Sequence, residues 1–120
     1  MKGKILIADD EESIRFTFTD FLSGAGYQVD TADSLSSCIN KMQAEPFDLL
    51  FLDIRFGRDN GIEAIQELKA LQPDCSVVII TGDPDPSTII KARGYGAVDY
   101  LAKPIREASL IYIAQKSLAH

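Results

Sequence analysis

The sequence predicts an α/β domain built on a doubly wound parallel sheet. Apolar runs of strand length alternate with patterns of helical period along the whole chain, and the connections between them are short. Because crossovers between parallel strands are right-handed, this order folds into one parallel sheet. Four of the apolar runs end in polar or charged residues. These residues would share the sheet edge at which open α/β sheets place their sites.

The sheet is predicted to contain five strands, near residues 4–8, 28–32, 48–52, 76–80 and 98–102. The first, third and fourth runs are continuously apolar, as expected of central strands that helices cover on both faces. The second run alternates between apolar and polar residues, which is typical of a half-exposed edge strand.

Helices are predicted between and after these strands, because apolar residues recur there at helical spacing. The first should end near Gly24, since glycine favours helix C-termini. The second, third and fourth have candidate N-cap residues, which are Ser34, Asn60 and Asp85. Pro86 suits the first position of the fourth helix. The fifth helix is expected from about residue 106.

Composition is typical of a globular domain and disfavours several partners. The chain has 120 residues, of which 46% are hydrophobic and 25% charged, and these values fit one domain. The net charge of −6 argues against nucleic-acid binding by this domain. No apolar run approaches the ~20 residues of a membrane helix, and no signal peptide precedes the first strand, so we expect a cytoplasmic protein. Cys38 and Cys75 are expected to be reduced core thiols.

Three carboxylates are predicted to meet at the site edge of the sheet. Asp9 and Asp10 follow the first strand, and Asp53 follows the third. Like charges in a partly buried site raise each other's pKa, and a divalent cation relieves this repulsion. An open group of carboxylates suits Mg²⁺, which keeps waters and binds phosphate oxygens. Alternatively, the run Asp10-Glu11-Glu12 serves only to begin the first helix.

A hydroxyl and an ammonium group are predicted to join these carboxylates. Thr81 follows the fourth strand and Lys103 the fifth. A hydroxyl can donate to a phosphoryl oxygen, and an ammonium group can neutralise phosphoryl charge. The bond between Lys103 and Pro104 can be cis, which would turn the chain sharply and direct the lysine inward.

The ordered set of motifs resembles the receiver domain of bacterial two-component response regulators. It consists of Asp9-Asp10, Asp53, Gly61, Thr81-Gly82 and the segment from Gly96 to Pro104. The last segment is most similar to receivers of nitrogen-regulator-type transcriptional activators. The resemblance implies a flavodoxin-like, three-layer (αβ)5 sandwich with strand order 2-1-3-4-5. It also implies one receiver domain over residues 1–120, which can be the N-terminal part of a longer regulator.

The resemblance further implies a reaction. Asp53 would accept a phosphoryl group from a phosphohistidine of a sensor histidine kinase or phosphotransfer protein. Asp10, Asp53 and the backbone carbonyl of Arg55 would bind Mg²⁺, with Asp9 acting mainly through water, while Thr81 and Lys103 would contact the phosphoryl group. Phosphoryl transfer depends on positioning and charge neutralisation, which agrees with these residue types. The domain would catalyse only its own phosphorylation and dephosphorylation, so it is not expected to be an enzyme.

The implied switch begins when Thr81 moves toward the phosphoryl oxygens. Tyr100 would then swing inward and change the face made by the fourth helix, the fifth strand and the fifth helix. Through this face the domain would control an output domain or partner protein, or form a phosphorylation-dependent homodimer. Alternatively, Tyr100 is an ordinary aromatic residue of an amphipathic strand.

The loop after Asp53 departs from the family pattern. Phe56 and Gly57 replace the usual methionine-proline pair, so we expect a looser loop, altered Mg²⁺ affinity, and Phe56 as an apolar plug. Arg55 and Asp83 lie two residues after Asp53 and Thr81. In receivers these positions flank the path of the hydrolytic water. A pair of opposite charges there would slow dephosphorylation; alternatively, both side chains are simply solvated.

Three other functions are alternatives to that of a phosphorylated receiver. The altered loop allows a phosphorylation-independent interaction module. A metal-dependent phosphatase or phosphotransferase would use Asp9 as nucleophile and Glu11 as acid, but the chain leaves no room for a cap domain over the substrate. A flavodoxin-type flavin binder is disfavoured because the acidic run from Asp9 to Glu12 would repel a flavin phosphate.

Overall fold

Five parallel strands form the central sheet in the computed structural model, which describes residues 3–56 and 59–118, with the backbone alone at 56, 59 and 60. These strands are β1 (Lys4–Ala8), β2 (Gln28–Ala32), β3 (Leu49–Asp53), β6 (Ser76–Thr81) and β7 (Ala97–Ala102). Two short strands, β4 (Arg55–Phe56) and β5 (Asp59–Asn60), pair antiparallel after β3. The sheet order is β2-β1-β3-β6-β7, so the predicted order 2-1-3-4-5 is confirmed.

Five helices connect and follow the strands: α1 (Glu12–Gly24), α2 (Leu35–Ala44), α3 (Gly61–Leu71), α4 (Pro86–Tyr95) and α5 (Glu107–Leu118). The predicted caps of α2 and α4 are present, because Ser34 accepts a hydrogen bond from the Ser37 N–H and Asp85 accepts one from the Ser87 N–H. Pro86 is the first residue of α4, as expected. The predicted Asn60 cap involves a side chain outside the described residues.

The helices cover the two faces of the sheet and make a three-layer sandwich. Alternate residues of the central strands enter two apolar clusters, since Leu50 and Leu52 face one and Leu49 and Phe51 the other. The first cluster contains side chains of α2, α3 and α4, and the second contains side chains of α1 and α5. The prediction that the continuously apolar runs form central strands is therefore confirmed.

Burial along the outer strands agrees with their position at the sheet edges. The first residue of β2 is exposed and the next three are half-buried, whereas every residue of β3 is buried. β3 and β6 each extend one residue further than predicted and end on Asp53 and Thr81. Among the residues that the structure describes, none of the helices has the length and apolar character needed to cross a membrane.

The backbone described after Asp53 contains the paired strands β4 and β5, which were not predicted. Arg55 pairs with Asn60, and Phe56 pairs with Asp59, on either side of residues 57 and 58. The predicted effect of Gly57 on the loop and the Phe56 plug concern parts of the chain outside the described residues and remain predictions.

Candidate functional site

Backbone hydrogen bonds between neighbouring strands fix the ends on which the predicted site residues lie. The Asp9 N–H donates to the Ala32 carbonyl at 3.1 Å, which continues the pairing of β1 with β2. The Lys103 N–H donates to the Thr81 carbonyl at 2.8 Å and extends the pairing of β6 with β7. The buried apolar residues set the register of the strands, and this register places the polar residues at the strand ends.

The three predicted carboxylates do come together. One carboxylate oxygen from each of Asp9, Asp10 and Asp53 lies within 4.8 Å of the other two. Asp9 and Asp53 are buried, whereas Asp10 is exposed. The group therefore has two carboxylates at the floor of the site and one toward solvent, which suits a cation that keeps part of its water shell.

Burial makes ionisation of the Asp9 and Asp53 carboxylates less favourable and raises the pKa of both. Burial raises the pKa of Asp9 from 3.8 to about 6. The hydrogen bond from the Glu11 N–H opposes this rise, whereas the charge of Asp53 adds to it. Burial also raises the pKa of Asp53, although the Arg55 N–H and Lys103 oppose it. Among the described residues, Asp9 Oδ2 is a buried oxygen with no hydrogen-bond partner. An unsatisfied buried oxygen inside an acidic group fits a metal ligand.

The ammonium group of Lys103 lies near the buried carboxylates of Asp9 and Asp53 and near the exposed carboxylate of Glu11. Its Nζ lies 3.5 Å from Asp53 Oδ2, 3.7 Å from Asp9 Oδ2 and 2.9 Å from Glu11 Oε1. Partial burial lowers the pKa of Lys103, but the hydrogen bond to Glu11 and the nearby carboxylates outweigh that effect and raise the pKa above its ordinary value. The Lys103–Pro104 peptide bond is cis.

Thr81 is buried at the end of β6, and its hydroxyl is engaged with the loop that follows. Thr81 Oγ1 donates to the Asp83 carbonyl at 2.9 Å and accepts from the Asp83 N–H at 3.0 Å. Tyr100 on β7 is half-buried and packs against the apolar cluster under α2, α3 and α4. Thr81 and Tyr100 therefore lie on adjacent strands, as the predicted switch requires.

An open cleft of about 610 Å³ gives solvent access to this group. The residues that line it and bear on its chemistry are Asp10, Glu11, Asp53, Arg55, Asp83 and Lys103. The Arg55 N–H donates to Asp53 Oδ1 at 2.9 Å and holds the Asp53 carboxylate in place. Arg55 and Asp83 both line the cleft and are exposed. Among the described residues no ion pair joins their side chains, and their effect on dephosphorylation remains a prediction.

Two contacts at the site were not predicted. Arg15 on α1 donates to the backbone carbonyl of Asp9 at 2.9 Å and supports the turn that carries the acidic pair. Glu11 forms an ion pair with Lys103, although the two residues are 92 positions apart. The only sequence signal for Glu11 was its place in the acidic run before α1, which says nothing about its partner.

A strand-end carboxylate next to an ammonium group, inside an acidic cluster that can hold a divalent cation, is the arrangement expected of an α/β domain that accepts a phosphoryl group. The family model described as the response regulator receiver domain matches residues 5–115. The chain belongs to this family.

Sequence similarity to transcriptional regulators supports this membership. The chain is 40% identical over 117 residues to the alginate biosynthesis transcriptional regulatory protein AlgB of Pseudomonas aeruginosa. The match covers 98% of this chain and 26% of AlgB, so the chain spans about a quarter of that relative. The similarity to transcriptional regulators, and to NtrX of Brucella abortus among solved structures, confirms that NtrC-type regulators are its relatives.

Two solved structures show the same fold. The beryllofluoride-activated receiver domain of NtrC4, solved in solution as a dimer, has a TM-score of 0.91 and 31% identity, with 98% of this chain and 97% of that chain covered. A response regulator of Burkholderia pseudomallei, solved with a phosphorylated aspartic acid, a calcium ion and citrate, has a TM-score of 0.89 and 31% identity, with coverage of 97% and 68%.

Family membership establishes the general function. The chain is a phosphorylation-switched signalling domain, not a substrate-processing enzyme, and the phosphorylation-independent alternative is not favoured. Receiver domains bind a divalent metal at an acidic pocket, and the group of Asp9, Asp10 and Asp53 provides one here. Receiver domains of response regulators also interact with histidine kinases and with output domains.

Proposed function

We propose that Asp53 accepts a phosphoryl group from a phosphohistidine of a sensor histidine kinase or phosphotransfer protein in a Mg²⁺-dependent reaction. The observation that carries this proposal is the position of the Asp53 carboxylate. It lies at the end of β3, opens into the cleft, belongs to the acidic group, and has Lys103 Nζ 3.5 Å from its Oδ2. This arrangement supports the proposal, because it brings a carboxylate, an acidic group suited to a cation and an ammonium group together at one cleft.

The transfer exchanges one bond to phosphorus for another. A carboxylate oxygen of Asp53 forms a bond to phosphorus, while the bond from phosphorus to the histidine nitrogen breaks and that nitrogen keeps the electron pair. The Arg55 N–H on Asp53 Oδ1 fixes the orientation of the carboxylate, so that Oδ2 remains available for attack. Lys103 then neutralises charge on the transferred group, and the Thr81 hydroxyl donates to it.

Mg²⁺ would be held by the carboxylates of Asp10 and Asp53 and by the Arg55 carbonyl, with Asp9 acting mainly through water. When bound, the ion neutralises the repulsion between these carboxylates and the incoming phosphoryl oxygens. The unsatisfied Asp9 Oδ2 supports a role for Asp9 at the metal site, because this buried oxygen has no hydrogen-bond partner among the described residues. Burial is the main cause of the raised pKa of Asp9, and a nearby cation would favour the ionised carboxylate.

The phosphoryl group would change the partner of Thr81 and thereby the surface of the domain. In this structure the Thr81 hydroxyl bonds to the Asp83 backbone, so binding a phosphoryl oxygen requires it to leave that contact. Tyr100 on the adjacent strand would then turn inward and alter the face formed by α4, β7 and α5. Phosphorylation must favour this second state by a few kcal/mol for the switch to be effective.

This face would control an output domain or partner protein, or form a phosphorylation-dependent homodimer. Because the chain spans only 26% of AlgB, we propose that residues 1–120 form the receiver domain of a longer cytoplasmic transcriptional regulator. Sedimentation of the protein with and without beryllofluoride tests the homodimer.

Incubation with Mg²⁺ and acetyl phosphate, followed by intact-protein mass spectrometry, tests the phosphoacceptor. We expect a single phosphoryl adduct in the wild type and none in Asp53→Ala. Asp20→Ala is the matched control, because Asp20 is an exposed aspartate of α1. A phosphoryl adduct that survives in folded Asp53→Ala would show that Asp53 is not the acceptor. A folded wild type that forms no adduct would identify an interaction module instead.

A further inference from the structure

Glu11 is the closest partner of the Lys103 ammonium group. Lys103 Nζ lies 2.9 Å from Glu11 Oε1, but 3.5 Å from Asp53 Oδ2 and 3.7 Å from Asp9 Oδ2. Of these three contacts, the one to Glu11 has the length of a strong charge-assisted hydrogen bond. Lys103 is therefore held more firmly by a residue at the mouth of the cleft than by the nucleophile at its floor.

The backbone of Glu11 is fixed, so its side chain can act as a tether. The Glu11 N–H donates to Asp9 Oδ1 at 2.9 Å, which ties residue 11 to the buried acidic group. The Glu11 carboxylate is 55% exposed, whereas the Lys103 side chain is 23% exposed. The ion pair therefore runs from the solvent edge of the cleft to its interior and draws the ammonium group outward.

We propose that Glu11 is a positioning residue that holds Lys103 in the unphosphorylated state and thereby slows phosphorylation of Asp53. The inference rests on the proposed function of Asp53. An ammonium group has three N–H donors, and the donor that points to Glu11 is unavailable to the phosphoryl group. The bond to Glu11 also fixes the position of the ammonium group, so moving closer to a phosphoryl group on Asp53 weakens that bond.

The expected effect is moderate because the pair is partly exposed. Ion pairs in contact with solvent have small net energies, so loss of the Glu11 carboxylate should accelerate phosphorylation by about two- to fivefold. Salt screens such a pair, so the difference between wild type and variant should shrink at high ionic strength.

Initial rates of phosphorylation by acetyl phosphate test the tether. We expect Glu11→Gln to be about two- to fivefold faster than the wild type, with the advantage reduced in salt. Glu12→Gln is the matched control. Glu12 is the first residue of α1, is exposed, and is not among the described residues that line the cleft. If Glu11→Gln is phosphorylated no faster than the wild type, or no faster than Glu12→Gln, the proposal is wrong.

Glu11→Asp separates a tether from simple repulsion of the anionic donor. This variant keeps the negative charge at the cleft mouth but shortens the side chain, which lengthens the gap to Lys103. A tether predicts faster phosphorylation in Glu11→Asp as well. If Glu11→Asp has the wild-type rate while Glu11→Gln is fast, the carboxylate acts by repelling the donor and the tether is wrong.

The Lys103 ammonium group provides a readout that does not depend on phosphorylation. In the metal-free protein, NMR of the lysine ammonium protons should show faster exchange with solvent for Lys103 in Glu11→Gln than in the wild type or Glu12→Gln. Unchanged Lys103 exchange would contradict the tether even if Asp53 is phosphorylated normally. Conversely, absence of any Asp53 adduct in the wild type would contradict the proposed function. The proton exchange rate of Lys103 would then still test the contact between Glu11 and Lys103.

Discussion

Gly61 lies directly against the backbone of Asp53. A Cβ atom placed on Gly61 would be 2.6 Å from the Asp53 carbonyl oxygen and 3.0 Å from the Ile54 Cα. The Gly61 N–H also donates to the Ile54 carbonyl at 2.9 Å. The first residue of α3 is thus packed onto the end of the strand that carries the proposed nucleophile, and the requirement for glycine here is steric.

Gly61→Ala should therefore disturb both stability and phosphorylation. The added methyl group meets backbone atoms, which cannot move aside as a flexible side chain would, so we expect a loss of about 1–3 kcal/mol in the free energy of unfolding. Displacement of Asp53 should also slow its reaction with acetyl phosphate. Urea denaturation and phosphorylation rates measure the two effects.

Gly94→Ala provides the matched control for this change. Gly94 lies within α4, and no described atom outside its own stretch of helix lies within 4 Å of a Cβ placed there. Because alanine is the better helix former, this variant should gain about 0.5–1 kcal/mol and keep the wild-type phosphorylation rate. Equal stability of Gly61→Ala and wild type would show that the close approach to Asp53 is not a constraint.

The strand-end residues were predictable because their placement is local. An apolar run that ends in Asp53 or Thr81 fixes where the strand stops, and parallel pairing then places both ends on one edge of the sheet. The caps Ser34 and Asp85 were equally readable, since a cap and the N–H that it accepts are two or three residues apart.

Contacts between distant parts of the chain were not predictable in the same way. Gly61 was recognised only as part of a family motif, because its approach to Asp53 depends on how α3 docks. The Glu11–Lys103 pair depends on rotamers at the ends of two different strands. The pairing of β4 with β5 was missed because two-residue strands have no periodicity to detect.

Mg²⁺ should stabilise the protein against unfolding. A ligand that binds only the native state adds about 1.4 kcal/mol at ten times its dissociation constant. Asp10→Asn should respond less to Mg²⁺ because it removes one carboxylate of the acidic group, and since Asp10 is exposed the variant should still fold. Thermal denaturation with increasing MgCl₂, compared with NaCl at equal ionic strength, measures the response.

Asp20→Asn controls for the loss of one negative charge. Asp20 is exposed on α1, so its variant should respond to Mg²⁺ as the wild type does. If Asp10→Asn responds to Mg²⁺ as fully as Asp20→Asn, Asp10 is not a ligand.

The α4 helix should be the helix whose opening responds most to loss of its cap. Within α4, all of whose residues are described, Ala92 is the one buried side chain, whereas α2 buries Cys38 and Met42. Asp85→Ala removes a cap interaction of about 1 kcal/mol, which corresponds to about fivefold faster amide exchange within α4. Hydrogen exchange detected by NMR measures it.

Ser34→Ala is the matched change at the cap of α2. Because α2 is anchored by larger buried side chains, its amides should respond less than those of α4 do in Asp85→Ala. An equal or larger local increase in α2 would contradict the view that α4 is the more easily opened helix.

The buried thiols should make stability fall at alkaline pH. Burial is the main cause that raises the pKa of both Cys38 and Cys75 from 9.0 to about 12. Above about pH 9 the unfolded chain loses thiol protons that the native state retains, so the free energy of unfolding decreases as pH rises. Cys38→Ala should show a shallower decrease than the wild type between about pH 9 and pH 11 in urea denaturation. Parallel curves for the two proteins would contradict the raised pKa of Cys38.

Arg55 and Asp83, which both line the cleft, are expected to prolong the lifetime of the aspartyl phosphate. The backbone of Arg55 is bonded to Asp53 Oδ1, and the backbone of Asp83 is bonded to the Thr81 hydroxyl. Both residues line the cleft through which water must approach phosphorus. Hydrolysis returns the Asp53 carboxylate and releases inorganic phosphate, so any side chain that excludes this water slows it.

Replacement of both residues by alanine should shorten the phosphoryl half-life several-fold, equivalent to about 1 kcal/mol of barrier. Since no ion pair joins the two side chains in the described structure, the effects of the single variants should add in free energy. The matched control replaces Glu67 and Lys91, two exposed residues of α3 and α4, and removes the same charges away from the cleft. A half-life in Arg55→Ala/Asp83→Ala equal to that of this control would show that neither side chain hinders the water. A strongly non-additive result would instead reveal that the two charges pair once Asp53 is phosphorylated.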